Sequence, residues 1–340
     1  MTPGIRISPQ TNQKKVKKLM SNRVLTALAT LAALAAAPVA AQEYSFQVAH
    51  TNAAGEVQDM GLQKMKDLLE AKTDGAATLE IFAGGQLGDE QQTVEGVMLG
   101  SLDIGMTSNA MLSNYVDDYK VFDLPFLFPS IPSLGEKVDA NFDMMEDSAN
   151  GAGFQLLAVF SSGIRHLMTS EPVETIADLE GMKIRTMQNP SHVEAFRAYG
   201  ANPTPMSYSE LYGALQSGVV DGAEGASTGY DGMKFYEVAP SFALVGWLNM
   251  TAPVTMKKDA FDALPEDIQT ALMEAGAEAA SWQRQYVVDQ EQPLLDSFAE
   301  MGVTITEPDT APFIEASQPL YESQLTTDGQ KALFDALTSE

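Results

Sequence analysis

Arginine is scarce in this chain, which makes each one informative. Beyond residue 41 there are four, Arg165, Arg185, Arg197 and Arg284, in a stretch that carries 46 Asp and Glu. A guanidinium presents a planar fork of donors that meets a carboxylate through two parallel hydrogen bonds. Arg185 closes the short apolar segment that begins at Met182 and reads as a strand. Asn189-Pro190 follows it as the cap and first residue of a helix. A strand-end arginine beside a helix N-terminus brings two sources of positive potential together. Arg165 follows Ser161-Ser162-Gly163 at the entry to the second half of the chain. Non-covalent capture of an anion is the chemistry these residues suit. The plainer alternative for both is a structural salt bridge, which an arginine in so acidic a chain readily finds.

Residues for covalent or redox chemistry are missing from the sequence. There is no Cys, so a thiol nucleophile, a disulfide scaffold and a lipid-modified cysteine are all excluded. The three histidines, His50, His166 and His192, lack the His-Glu-x-x-His spacing, and no Gly-x-Ser-x-Gly elbow occurs. Neither a phosphate loop nor a dinucleotide fingerprint appears. An enzyme is not expected, no cofactor is implied, and a metal is not the expected anchor of a ligand. Acidic residues are plentiful enough for a calcium or sodium ion at the periphery.

The first 41 residues read as a secretory signal peptide. Lys14, Lys15, Lys17, Lys18 and Arg23 make a basic region, Val24 to Ala37 is apolar, and Val39-Ala40-Ala41 supplies small residues for cleavage. Met20 is an alternative start. The apolar run is about 14 residues, short of the roughly 20 that span a bilayer. This region holds six of the 20 Lys and Arg and no acid, so the net charge of −26 becomes −32 after cleavage. Such a field repels nucleic acid and anionic lipid. A soluble, monomeric periplasmic protein is the expectation, and its anion site has to be a local exception to its overall charge.

The elements that must position the arginines alternate. Tyr44 to Ala49, Thr78 to Phe82 and Asp103 to Thr107 read as strands. Between them Glu56 to Lys72, and a segment opened by Asp89 or Glu90, read as helices. Glu136 to Asn150 is predicted helical and Gly153 to Phe160 a buried strand. The pattern then repeats through strands at 165–169, 182–186 and 219–223. Ser207 and Glu210 make a capping box for another helix. Phe242 to Leu248 and Ala252 to Met256 are apolar strands, and a long helix opens at Pro265. Two α/β halves follow, with 153–160 and 242–256 as candidate crossings. A ligand would sit between the halves at the carboxyl ends of their strands.

Several strings carry a family likeness: Gly181-Met-Lys-Ile-Arg185, Gly200-Ala-Asn-Pro-Thr-Pro-Met206, Ser209-Glu-Leu-Tyr-Gly-Ala-Leu-Gln216, Gly218-Val-Val-Asp-Gly222 and Lys234-Phe-Tyr-Glu-Val238. Gly84-Gly85-Gln86-Leu87-Gly88 and Phe122-Asp-Leu-Pro-Phe-Leu-Phe128 add to it. In this order, behind a signal peptide, they resemble the DctP-like solute receptors of tripartite ATP-independent periplasmic (TRAP) transporters. The resemblance implies an α/β periplasmic binding protein of two lobes, with a ligand cleft between them, hinge strands and a long lobe-spanning helix. The lobes are expected at 42–162 plus about 251–290, and at 163–250 plus about 291–340. The implied function is capture of a small organic acid and its delivery to TRAP membrane subunits for sodium-driven uptake.

The likeness also bears on single residues. Arg185 matches the family's carboxylate clamp, and Arg165 a second arginine that reaches the same carboxylate. Tyr208 matches an aromatic that packs on the ligand, and Tyr212 lies four residues on along the same face; core packing is the alternative for both. Asn189 is a candidate donor, although a capping side chain is already occupied. Many relatives carry Gln-Glu-Asn where this chain has Ala223-Glu224-Gly225, so a ligand bond from Asn is lost. Glu224 either accepts from ligand hydroxyls or backs Arg185. Trp247 and Asn249 stand where many relatives have Thr-Asn-His; Trp247 either stacks on the ligand or fills core. From the first half, His50, Gln86, Glu90, Ser108 and Asn109 are polar groups at strand ends or helix starts, with a structural role as the alternative for His50. These departures argue against a copy of the sialate or dicarboxylate pockets and make a uronic or aldonic acid a candidate. A short dicarboxylate, a small keto or hydroxy acid, and a receptor that presents its ligand to a membrane sensor stay open.

Overall fold

A computed structural model describes residues 43–339 together with Met1. The predicted signal peptide lies outside the described residues. In chain order the elements are β1 (Tyr44–Ala49), α1 (Val57–Lys72), β2 (Ala77–Phe82), α2 (Glu90–Leu99), β3 (Ile104–Met106), α3 (Asn109–Leu112), α4 (Ile131–Ala140), α5 (Phe142–Gly151) and β4 (Phe154–Thr169). They continue as β5 (Lys183–Thr186), α6 (Pro190–Ala198), β6 (Asn202–Pro205), α7 (Tyr208–Gln216), β7 (Gly222–Gly225), α8 (Ser227–Gly232) and β8 (Ser241–Lys257). The last are α9 (Lys258–Asp262), α10 (Glu266–Glu300), β9 (Thr304–Thr306), α11 (Ala311–Gln324) and α12 (Asp328–Thr338).

The strands form one mixed sheet in the order β2-β1-β3-β8-β4-β7-β5-β6, with β9 also on β8. Two long antiparallel strands join its halves. Residues 154–161 of β4 pair with 251–257 of β8, whose other edge there carries β3. Residues 164–169 of β4 pair with the 241–249 stretch of β8, next to β7 and β9. The sequence pattern predicts breaks near 161–164 and 249–251; instead each pair of predicted strands is one continuous strand. The ladder slips between Ser161 and Ile164, where Gly163 has φ +80°, a left-handed value that suits glycine. A bulge bends a strand without ending it, and composition alone does not distinguish the two. The single helix predicted over 136–150 is also two, α4 and α5, broken at Asn141.

Helix α10 runs for 35 residues, through Pro293, along both halves of the sheet. Ile268, Leu272, Ala275 and Ala279 join the core around β1 and β4. Gly276 lets the helix approach: a Cβ there would run into the Leu157 carbonyl oxygen. Where the β4 ladder slips, α10 supplies the missing partners. The Gln283 side chain accepts from Ser161 N at 2.8 Å and donates to Ser161 O at 2.9 Å. Arg284 donates to Val159 O and forks onto Asp139 at 2.7 and 2.6 Å, so this arginine holds the long helix to the crossing strands. Arg197 is exposed on α6.

Candidate functional site

Two pairs of parallel strands, β1 with β3 and β5 with β7, run toward each other, and their carboxyl ends converge on one cavity. Thr51 and Asn52 follow β1, and Thr107 and Ser108 follow β3. Met187 follows β5, while Ala226 and Thr228 follow β7. Ser162 and Arg165 enter from the bulged crossing strand, Glu90 from the start of α2, and Tyr208 from the start of α7. A second, narrow adjoining space brings in Arg185 and shares Glu90, Met187 and Tyr208 with the first. Parallel α/β sheets place ligands at such a convergence, because loops and helix starts gather there.

Local sequence holds these side chains in place. Asp89 and Gln92 cap α2 reciprocally, which fixes Glu90 as its first residue. Both Glu90 oxygens accept from Ser108, Oε1 from its amide at 2.8 Å and Oε2 from its hydroxyl at 2.6 Å. Ser207 and Glu210 form the predicted capping box on α7, so Tyr208 leaves the first turn with its ring edge-on to Phe235 at 5.8 Å.

Glu224, fully buried on β7, lies between the two arginines. Arg165 Nε donates to its Oε2 at 2.7 Å, and Arg185 Nη1 stands 3.6 Å from its Oε1. Burial works to raise the Glu224 carboxyl, but the charge and hydrogen bond of Arg165 outweigh it, and the group lies below the usual carboxylate range. Burial pulls the Arg185 guanidinium below its ordinary value, and Glu224 opposes that. Arg185 Nε and Nη2 both donate to Met206 O, at 3.1 and 2.8 Å, which fixes the guanidinium plane. Its Nη1, although buried, makes no hydrogen bond among the described residues. Arg165 and Arg185 are matched by Glu224 behind them and Glu90 at the cavity, so the feature that suits an anion is local: a buried Arg185 Nη1 whose hydrogen-bonding capacity is unspent.

Other predicted residues are placed elsewhere. Trp247 is fully buried in the second-half core, edge-on to His192 and Phe196 at 4.9 and 5.2 Å, so it packs core and does not wall the cavity. Tyr212 points away from the cavity and donates to Glu237 at 2.7 Å. A four-residue step keeps two side chains on one helix face, but the cavity meets only the first turn of α7. Gln86 is exposed on the loop before α2 and lines neither space. Asn249 donates to Phe128 O at 2.7 Å and pins the connector to β8. His50 pairs with Asp59 at 3.1 Å in a buried contact, the structural alternative. Asn109 and Asn189 both serve a buried network around Asp123, donating to it at 3.0 and 3.1 Å. Asn189 also caps α6 through His192 N and donates to Ala110 O, so its side chain is fully engaged. Arg165, Glu90, Ser108 and Tyr208 are the predicted residues that the fold brings to the cavity, Arg185 lines the adjoining space, and Glu224 lies directly behind both arginines.

Residues 48–328 match the DctP family, bacterial extracellular solute-binding protein family 7. The chain belongs to this family. It is 32% identical over 302 residues to the 2,3-diketo-L-gulonate-binding periplasmic protein YiaO of Escherichia coli K12, covering 88% of this chain and 92% of that one. A TRAP periplasmic solute-binding protein of Roseobacter denitrificans, solved with bound β-D-glucuronate, superposes with a TM-score of 0.82 at 30% identity, over 87% of this chain and 99% of that one. One from Xanthobacter autotrophicus Py2, solved with bound β-D-galacturonate, gives a TM-score of 0.83 at 29% identity, over 86% and 98%. The two-lobed TRAP architecture expected from the sequence is therefore this receptor's fold. Its family is one of solute receptors, not enzymes. Among the described residues no helix is long and apolar enough to cross a membrane, and no three His, Asp or Glu side chains gather as metal ligands.

Sequence reasoning missed several residues that line the receptor's cavity. Thr51, Asn52 and Thr107 lie within one or two positions of residues it did single out, so a wider window at each strand end would have caught them. Ser162 lies within the bulge, three residues before Arg165, whose Nη1 donates to its carbonyl at 3.4 Å. Gln58 of α1, and Thr228 and Gly229 of α8, carry no periodic or motif signal.

Proposed function

We propose that this receptor binds a hydroxylated monocarboxylate, a uronic or aldonic acid, in the periplasm and passes it as a soluble monomer to TRAP membrane subunits. The observation that carries the reading is the pair of buried arginines sharing one buried carboxylate beside a cavity where hydroxyls and amides of Thr51, Asn52, Gln58, Ser108 and Thr228 alternate with apolar side chains such as Met106 and Met187. In this reading Arg185 and Arg165 clamp the ligand carboxylate. Asn52, Gln58, Ser108 and Thr228 are then placed to meet hydroxyls. Glu90 supports a hydroxylated acid over a short dicarboxylate, because a second ligand carboxylate would meet its charge, whereas a hydroxyl can donate to it. Relatives named or solved with diketogulonate, glucuronate and galacturonate support the same class. The lobes are read as 42–162 plus about 251–290 and 163–250 plus about 291–340, closing about the bulge at 161–164 once the leader 1–41 is removed.

Mass spectrometry of ligand released from protein purified without denaturation tests this directly. It is paired with thermal-shift titration of emptied protein against D-glucuronate, D-galactonate and succinate. A uronic or aldonic acid in the released fraction and stabilisation by at least one sugar acid are expected. Stabilisation by succinate alone would overturn the assignment.

A further inference from the structure

We infer that Gly229 is a specificity-determining residue: by leaving room for the Tyr208 hydroxyl it sets the length of acid the cavity accepts. The inference rests on the sugar-acid reading above and extends it to a residue that lines the cavity beside Tyr208. Gly229 lies in the middle of α8 in ordinary helical conformation, so glycine is not needed there for the backbone. A Cβ built on it would stand 2.8 Å from Tyr208 Oη and 4.0 Å from Tyr208 Cζ, with no other such neighbour inside 4 Å. The one thing an added methyl meets too closely is the phenol oxygen.

Tyr208 has little freedom to give way. Its Cα is tied into the capped first turn of α7 and its ring abuts Phe235, which is fully buried. Tyr208 and Gly229 both line the main cavity, and Tyr208 also lines the space beside Arg185. Methyl and displaced ring would therefore both draw on the volume open to a ligand. The hydroxyl makes no hydrogen bond among the described residues, and burial holds it neutral by raising it well above its ordinary value. A neutral phenol beside the cavity can donate to or accept from a ligand hydroxyl. Glycine at 229 thus keeps the wall back and leaves this group at the end of its reach.

The substitution separates fit from folding. Gly→Ala at a helical site with ordinary φ favours the folded state through the unfolded chain, which offsets part of the cost of shifting Tyr208, so Gly229→Ala is expected to fold, with circular dichroism unchanged and a melting temperature near that of wild type. Its effect on binding should depend on ligand size. One methylene of misfit in a pocket is worth roughly 10- to 200-fold in discrimination. Calorimetric titration of wild type, Gly229→Ala, Tyr208→Phe and the double variant against D-glucuronate, D-galactonate and D-erythronate tests it. Gly229→Ala should weaken the six-carbon acids roughly 10- to 200-fold and the four-carbon erythronate by less than about 3-fold. In the Tyr208→Phe background, where the methyl's nearest ring neighbour is at ordinary contact distance, the same change should cost less than about 2-fold. Equal losses for long and short acids, or the same loss in both backgrounds, overturn the inference while leaving the sugar-acid reading in place. A wild type that binds none of the three acids refutes that reading and this inference with it.

Discussion

Arg185→Ala removes a guanidinium that is 2% exposed and whose Nε and Nη2 both donate to Met206 O. Two losses follow, and they are measured separately. The fold loses the donors to one carbonyl, which costs about 1–3 kcal/mol when an acceptor is left unpaired. Glu224 keeps its partner, because the 2.7 Å bond from Arg165 remains, so no carboxylate is stranded. The protein should therefore fold, with circular dichroism unchanged and a lower melting temperature. Binding loses one partner of a hydrogen-bonded buried ion pair, which costs about 2–5 kcal/mol. That corresponds to a Kd raised roughly 30-fold to several thousand-fold at about 1.4 kcal/mol per decade. Arg185→Lys keeps the cation but cannot hold Met206 O and present a second donor in the same plane, so it should also bind at least about 10-fold more weakly. Titration calorimetry with D-glucuronate or D-galactonate, whichever wild type binds, reads both variants. Wild-type affinity in a folded Arg185→Ala protein would show that Arg185 is a structural bridge and shift the clamp to Arg165.

Three further outcomes are expected. Burial raises Glu56 from 4.5 to about 7, against the Asn52 hydrogen bond and with Asp231 and Asp59 adding to the rise. The folded state then holds this proton more tightly than the unfolded chain, so its stabilisation is full below pH 4.5 and is lost as pH climbs to about 7. The loss amounts to at most about 3 kcal/mol, and urea midpoints across that window should fall less steeply in Glu56→Gln; identical slopes would refute the assignment. Glu224→Gln leaves the two arginines without a buried counter-charge, which should cost about 3–5 kcal/mol of stability by denaturant titration, and a stable variant would contradict the ion-pair geometry. N-terminal sequencing of periplasmic protein should begin at Gln42 or within a few residues, and retention of Leu25 to Ala37 would disprove the leader.

Local chemistry carried much of this protein's description. The capping boxes at Asp89 and Ser207 and the cap at Asn189 depend on side chains within four residues, so they are legible in order and type. The scarcity of arginine is likewise a property of the chain, and it pointed to Arg165 and Arg185 before any contact was known. The family strings did the same for the two-lobed fold. What sequence could not separate were pairs of readings that differ only in long-range contacts. Trp247 is equally apolar in a core or on a ligand, and only the approach of His192 and Phe196 from α6 placed it in the core. His50 needed Asp59, Asn249 needed the Phe128 carbonyl, and Glu224 needed both arginines. Gly229 is a helix residue like any other until α7 brings the Tyr208 hydroxyl against it. Propensity, capping and charge act over a few residues and are written in the sequence. Which strand ends share a cavity, and which side chain leans on which, arises from the order of strands in the sheet and the bulge that bends β4, and those belong to the tertiary structure alone.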